Sequence, residues 1–242
     1  MRLNEREIKL WHILVFVFFL LPLVLGAINW RDKRVVNKII VKGNKVIPSE
    51  KIIKLAGVKL GERIVELNLS ELRGRIEKHK FIRFADVYTN LPDAIFIEIV
   101  EREPIAMFTS KGKIYFVDLE GVVIPAEEVG RLFSVPFLGE IEKPVANVNF
   151  DSTGLRNCFE LLKIALEKRV YELISELRVK NGEIVLLTTD GAVPVFLGDG
   201  EFDKKLVYLR EFWKQVVLKR GYPSYIDLRY SGSIFAKFDS KN

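Results

Sequence analysis

The sequence is poor in the side chains on which thiol, imidazole and metal chemistry depend. In 242 residues it holds one cysteine, Cys158, and two histidines, His12 and His79. A lone cysteine excludes an intrachain disulfide, and with so few histidines no His/Cys zinc site can be assembled. Cys158 falls in the helical pattern of Leu155, Phe159, Leu162 and Leu166, the setting of a buried structural thiol. The catalytic inventory is as thin. His12 lies in an apolar run, and His79 sits in Glu77-Lys78-His79-Lys80, a solvated helix end that no nucleophile elbow accompanies. Gly191 to Gly200 lacks the Gly-Lys-Ser/Thr ending of a phosphate loop. Carboxylate pairs such as Glu127-Glu128 and Asp118-x-Glu120 read as solvated surface. The expectation is a protein without catalytic residues, metal, cofactor or small-molecule substrate. Charge of one sign is scarce too: 38 basic and 32 acidic groups are interspersed, for a net +6. Nucleic-acid binding favours a clustered basic stripe with exposed aromatics, and the sequence shows none.

One stretch lacks charge altogether. Leu10 to Trp30, 21 residues, contains no Asp, Glu, Lys or Arg. About 20 apolar residues in a helix span the roughly 30 Å hydrocarbon core. Trp11 and Trp30 stand at its ends, where indole prefers the headgroup region. A cleaved signal would have a shorter core and a small-x-small site, whereas Gly26-Ala27-Ile28-Asn29 is a poor one. The expectation is an uncleaved anchor at 10–30, in contact with the lipid bilayer, behind a short cytoplasmic tail at 1–9. Flanking charge does not set the orientation: Arg2, Arg6 and Lys9 precede the span, while Arg31, Lys33, Arg34 and Lys38 follow it.

The remainder reads as α+β in two units, 31–103 and 104–242. In the first, Val35–Val41 alternates as a strand with Val35, Ile39 and Val41 on one face, and Gly43-Asn44 ends it. Pro48 suits the first turn of a helix whose stripe is Ile52, Ile53 and Ala56, and Gly57 stops it. Asn68 with Glu71 reads as a capping box before a second helix carrying Leu72 and Ile76. Phe84–Tyr88 and Ala94–Val100 then form a hairpin around Leu91-Pro92-Asp93. The order is βααββ.

In the second unit, strands are expected at Lys113–Asp118 and Val122–Ile124 around Leu119-Glu120-Gly121. An amphipathic helix follows at Leu155–Val170, with Leu155, Phe159, Leu162, Ala165 and Leu166 inward. Strands at Leu173–Val179, Glu183–Thr188 and Ala192–Leu197 turn at Asn181-Gly182 and Asp190-Gly191. A second amphipathic helix carries Phe202, Leu206, Leu209, Trp213, Val216 and Val217 before Gly221 and Pro223. Tyr225–Tyr230 and Ile234–Phe238 close the chain as strands, completing a mostly antiparallel β domain with two helices.

The βααββ order with Val41-x-Gly43-Asn44 resembles a POTRA module. The stretch from Val87 to Ala106, with its Leu-Pro-Asp turn and its Glu101-Arg102-x-Pro104 ending, is similar to the FtsQ/DivIB family of bacterial cell-division proteins. Val117-Asp118-x-x-Gly121, Asp190-Gly191, Leu197-Gly198, Lys204-Lys205-Leu206 and Ile226-Asp227-Leu228-Arg229-Tyr230 continue that similarity in order. The resemblance implies a single-pass protein of the cell (inner) membrane with its N-terminus cytoplasmic and its POTRA and β domains outside. It implies a non-enzymatic scaffold at mid-cell that binds FtsB and FtsL, the partner adding a strand beside the last strand of the β domain. Carried over by motif, Arg229, Tyr230, Ser231, Gly232, Ser233 and Ile234 lie at the contact, with Phe235 and Phe238 nearby; Arg229 would meet an acidic partner group. The turn after the Arg-Tyr pair often carries an acidic residue in the family, where this chain has Ser231-Gly232-Ser233. The competing expectation is a POTRA-bearing assembly or export component that binds translocated polypeptides.

Overall fold

The structure is a computed structural model and describes residues 5–32, 34–90, 93–141 and 153–239. The chain divides into two compact units, Met1–Glu101 and Arg102–Asn242.

The first unit begins with α1, Glu5–Asp32, a helix of 28 residues with Pro22 inside it. Side chains in α1 are described at Trp11, His12 and 14–26, and those are exposed, Trp11 among them. The side chain of Trp30 lies outside the described residues, as do residues 1–4 of the expected tail. Among the described residues no helix is long and apolar enough to cross a membrane.

Three strands and two helices follow: β1 (Lys38–Lys42), α2 (Ser49–Ala56), α3 (Leu69–Glu77), β2 (Ile82–Asn90) and β3 (Ala94–Glu101). The sheet order is β1-β3-β2, with β1 parallel and β2 antiparallel to β3. This matches the βααββ order expected. β1 starts later than the alternation suggests because Val35 and Val36 are engaged elsewhere. Val35 bridges Arg63, and the fully buried Val36 exchanges backbone bonds with Gly61 and Glu62. Gly43 has φ +82, and a Cβ there would sit 2.0 Å from the Ile99 carbonyl oxygen, so the turn after β1 requires glycine. Pro48 is the residue before α2, in extended conformation, rather than in its first turn. Asn68 caps α3 by accepting from the Glu71 N–H at 3.2 Å, while the Glu71 carboxylate accepts from Arg75 at 2.6 Å. Ile52, Ala56, Leu72 and Ile76 of the helices and Ala85, Val87, Ile95, Ile97 and Ile99 of the sheet make the core. Phe84 lies on the opposite, solvent side of β2. Of the hairpin turn, Leu91 and Pro92 lie outside the described residues. The Glu101 carboxylate closes the unit by accepting the N–H groups of Val46 and Ile47 at 2.8–3.0 Å.

The second unit is built on nine strands. They are β4 (Pro104–Ser110), β5 (Lys113–Asp118), β6 (Val123–Pro125), β7 (Phe137–Glu140), β8 (Ile174–Lys180), β9 (Glu183–Thr188), β10 (Pro194–Gly198), β11 (Tyr225–Asp227) and β12 (Phe235–Lys237). Their order across the sheet is β12-β11-β10-β9-β8-β7-β4-β5-β6. The pairs β4/β7, β7/β8 and β10/β11 are parallel and the other five antiparallel. The helices are α4 (Ala126–Val129), α5 (Thr153–Glu167), α6 (Phe202–Phe212) and α7 (Leu218–Arg220). Trp213–Val217, between α6 and α7, is wound as a π-helix. One face of the sheet packs on α5 and α6 through Leu177, Ile184, Leu186, Val195, Leu197 and Ile226, against Phe159, Leu162, Ala165, Leu206 and Leu209. α5 ends three residues before the expected Val170. Its inward stripe takes in Leu161 and leaves Leu166 38% exposed, which corrects the inward placement of Leu166.

Candidate functional site: an open strand edge

The last described strand is the edge of the large sheet. β11 is held on one side by β10, in the register Val195↔Ile226 and Phe196↔Asp227, and on the other by β12, in the register Tyr225↔Lys237, Ile226↔Ala236 and Asp227↔Phe235. The Leu228 N–H donates to the Phe196 carbonyl at 2.9 Å, so even-numbered residues of β11 bond toward β10 and odd-numbered ones toward β12. Tyr225 and Asp227 therefore exchange bonds with Lys237 and Phe235. Ala236 is left with its N–H and C=O directed away from the sheet, the template to which a further strand adds.

The turn before β12 brings the expected residues together. Gly232 takes φ +74 and the Ser233 N–H donates to the Tyr230 carbonyl at 3.2 Å. Tyr230 is 60% and Phe235 53% exposed, and their rings meet edge to face with centroids 5.5 Å apart. Ser231, Gly232 and Ser233 are exposed at the tip. Ile234, Ala236 and Phe238 are half-buried and lie on the helix side. There, with Phe212, Val216 and Arg220, they line an open groove of about 520 Å³. β12 thus offers three things at once: backbone groups along its edge that pair with no other described strand, an exposed aromatic pair on one face, and on the other a shallow groove in which Gln215, Lys219 and Arg220 stand beside the apolar side chains.

Arg229 has partners within the chain. Its Nη2 lies 2.7 Å from Asp227 Oδ2 and its Nε 3.0 Å from Asp227 Oδ1, while Nη1 is 3.4 Å from Glu183 Oε2. The guanidinium also stands over the Phe196 ring, 5.4 Å from its centroid. Its hydrogen bonds hold the Asp227 carboxyl below the usual carboxylate range, and Asp227 in turn raises the pKa of Arg229. The guanidinium braces the turn from within the chain, and its side chain stays 39% exposed. The sequence could not show this, because an i, i+2 Asp-x-Arg pair is common on any strand.

Two further residues belong to this corner. A Cβ at Gly198, φ +68, would fall 3.2 Å from Arg229 Cγ, so a side chain there would press on the stem that Arg229 lays across β10. The Glu201 carboxylate accepts from Lys204 at 2.7 Å, and this lysine is the main cause of its lowered pKa, with the nearby Ser231 hydroxyl a lesser one. A carboxylate does stand at the Ser-Gly-Ser turn, but it comes from the start of α6, thirty residues away in sequence.

Among the described residues no group of His, Cys, Asp and Glu could hold a metal ion. Cys158 is buried, and desolvation pushes its thiol up to about 12.

Comparison with known proteins gives two family matches. A model described as POTRA domain, FtsQ-type, matches residues 34–102, and one described as Cell division protein FtsQ/DivIB, C-terminal, matches residues 106–229. Cell division protein FtsQ of Geotalea daltonii is 30% identical over 198 residues, covering 80% of this chain and 72% of that protein. Its counterpart in Geobacter sp. (strain M21) is 30% identical over 201 residues, with the same coverage. That of Syntrophotalea carbinolica is 28% identical over 210 residues, 85% of this chain and 74% of the other. The major extracytoplasmic domain of the cell-division protein DivIB from Geobacillus stearothermophilus, at 12% identity, covers 48% of this chain and 94% of that one with a TM-score of 0.30, too low to bear on the fold.

Proposed function

The chain belongs to the FtsQ/DivIB family of cell-division proteins, and from that premise we propose that it is a non-enzymatic divisome scaffold that captures the FtsB/FtsL complex at the open edge of β12. The residues 10–30 anchor it in the cell (inner) membrane as a single pass, residues 1–9 remain cytoplasmic, and the POTRA domain at 31–103 and the β domain at 104–242 work on the extracytoplasmic side. The observation that carries the reading is the outward-facing backbone of Ala236 beside the exposed Tyr230 and Phe235. Aromatic anchors next to a free strand edge supply both parts of strand addition, main-chain bonds for affinity and side-chain contacts for specificity. Arg229 serves by holding the turn through Asp227, and Ser231, Gly232, Ser233, Ile234 and Phe238 shape the surface beside the added strand. The anchor rests on the uncharged run from Leu10 to Trp30, which falls within α1.

The test is a pull-down of FtsB by the purified protein carrying Tyr230→Ala and Phe235→Glu. Capture drops by more than about tenfold, since truncating an interface anchor typically removes 2 kcal/mol or more. Both side chains are solvent-exposed, so the fold is retained. Unchanged affinity removes this surface from the interface. A mid-cell band of a fluorescent fusion separates the division role from the export role, for which a uniform peripheral signal is expected.

A further inference from the structure

The segment joining α2 to α3 in the first unit has an unusual position. It runs from Gly57 to Asn68 and includes a single 3-10 turn at Ile64–Glu66. Backbone bonds tie it directly to the first residues after α1. The Ile64 N–H donates to the Arg34 carbonyl at 3.0 Å, the Val36 N–H to the Glu62 carbonyl at 2.9 Å, and the Gly61 N–H to the Val36 carbonyl at 2.8 Å. α1 itself has Cα atoms within 8 Å of the 3-10 turn. A segment tied at three points to residues 34–36 cannot move far from the end of α1 at Asp32. Four residues of chain reach at most about 14 Å.

The same segment exposes two large apolar side chains where polar ones would serve equally well for folding. Leu60 is 65% and Val65 50% exposed. Neither contributes to the core of the unit, whose buried residue in this segment is Val58. Exposed Lys38 and Lys59 flank Leu60, and both line a shallow recess with Ile39, Ile53 and Val58. Glu62 and Glu66 are also present, and Arg63 is paired to Glu66 at 2.6 Å, so the patch is apolar with a modest basic rim rather than a strong cationic field.

We propose that Leu60 and Val65 seat the first unit on the bilayer, inserting at the level of the lipid headgroups beside the exit of α1. The inference rests on the reading of α1 as a membrane anchor. Given that anchor, the argument is geometric. The headgroup layer extends roughly 5–8 Å beyond the hydrocarbon on each side, and the segment lies within the short reach of residues 32–36. Apolar side chains held there gain by entering the interface, and the ammonium groups of Lys38 and Lys59 gain by approaching anionic headgroups. A tether alone does not fix which way the first unit faces. Two apolar side chains on a segment bonded to residues 34 and 36 fix which side of the unit faces the membrane.

The sole native cysteine is buried, so single cysteines can be introduced and labelled selectively. The full-length protein is reconstituted into vesicles of phosphatidylcholine with phosphatidylglycerol. An environment-sensitive fluorophore is placed singly at Leu60→Cys, Val65→Cys, Leu20→Cys or Phe84→Cys. Spin-labelled lipids carry the quencher either at headgroup depth or at the bilayer centre. Labels at 60 and 65 are expected to shift to the blue and to lose emission with the headgroup-depth quencher, while a label at 84 stays unquenched. The label at 20 is expected to respond to the deep quencher. If the label at 20 responds and those at 60 and 65 behave like the one at 84, the seating is wrong although the anchor stands. If the label at 20 fails to respond, the anchor reading falls and the seating with it.

Discussion

Asp227 and Arg229 form an ion pair behind the proposed binding edge. Asp227 is nearly buried and its carboxylate accepts both the Arg229 guanidinium and the Arg229 backbone N–H. Asp227→Asn leaves the shape but weakens these bonds, at an expected cost of about 1–2 kcal/mol once the partial exposure of Arg229 is discounted. The sign with pH follows from the lowered pKa of Asp227. Its contribution is complete above the unfolded carboxylate value of about 3.9 and is lost as pH falls through the lower folded value. Urea unfolding of the wild type and the variant is therefore expected to differ at pH 6 and to converge on acidification below about pH 4. A gap that stays constant down to the most acid point would mean that the pair does not act through its charge. Glu101 offers a second test, because its carboxylate takes two backbone donors at the loop after β1. Glu101→Ala leaves those N–H groups unpaired and is expected to cost about 1–3 kcal/mol, read from the same unfolding curves. Cys158, with its thiol raised to about 12 by burial, is expected to resist disulfide reagents at neutral pH until urea unfolds the chain.

At the scale of elements, β12 gives the sharpest prediction. Its outward N–H belongs to Ala236, whereas Phe235 and Lys237 bond to β11. Proline is tolerated in an edge strand when its missing N–H faces solvent. Ala236→Pro is therefore expected to leave the urea midpoint of the protein nearly unchanged and to weaken strand addition, whereas Lys237→Pro breaks the β11 ladder and lowers the midpoint. Equal loss of partner capture and of stability in both variants would show that the edge is not used as a strand template. β8, β9 and the Asn181-Gly182 turn were legible because alternation and turn chemistry coincide there, with φ of +54 and +83 at the two turn residues. β4 and β7 were not. Pro104 to Ser110 begins with a family ending motif that hides its alternation, and β7 is four residues long, pairing in parallel with β4 and β8 that lie far off in sequence. Periodicity cannot announce a strand that short. The final strands were expected at Tyr225–Tyr230 and Ile234–Phe238, but only three residues of each pair, because Arg229 to Ser233 are drawn into the braced turn. The exposed tyrosine and phenylalanine were identified by motif. That Arg229 pairs with Asp227 inside the chain, and that Glu201 stands near Ser231, required the fold.

For the whole chain the decisive question is what the proposed anchor adds to an edge that is complete without it. β12, its aromatic pair and its groove are all made by residues of the second unit, so a form lacking residues 1–30 is expected to bind a purified partner strand with nearly the affinity of the full protein. In the cell the requirement differs. The proposed tether would confine the edge to a thin layer at the membrane and replace a search through the compartment by one over a surface. Short-tether local concentrations are of millimolar order. Replacing residues 1–30 with a cleaved export signal is therefore expected to abolish the mid-cell band at native expression while purified capture persists, with partial return of the band on strong overexpression. Exchanging residues 10–30 for an unrelated single span should restore the band at native levels, provided the junction to Arg34 is kept so that Leu60 and Val65 remain beside the membrane. If the unrelated span restores recruitment only in part, and Leu60→Ser with Val65→Ser in the natural chain gives the same partial defect, then orientation at the membrane contributes beyond tethering. A full band from the cleaved form would instead place recruitment wholly in the binding edge.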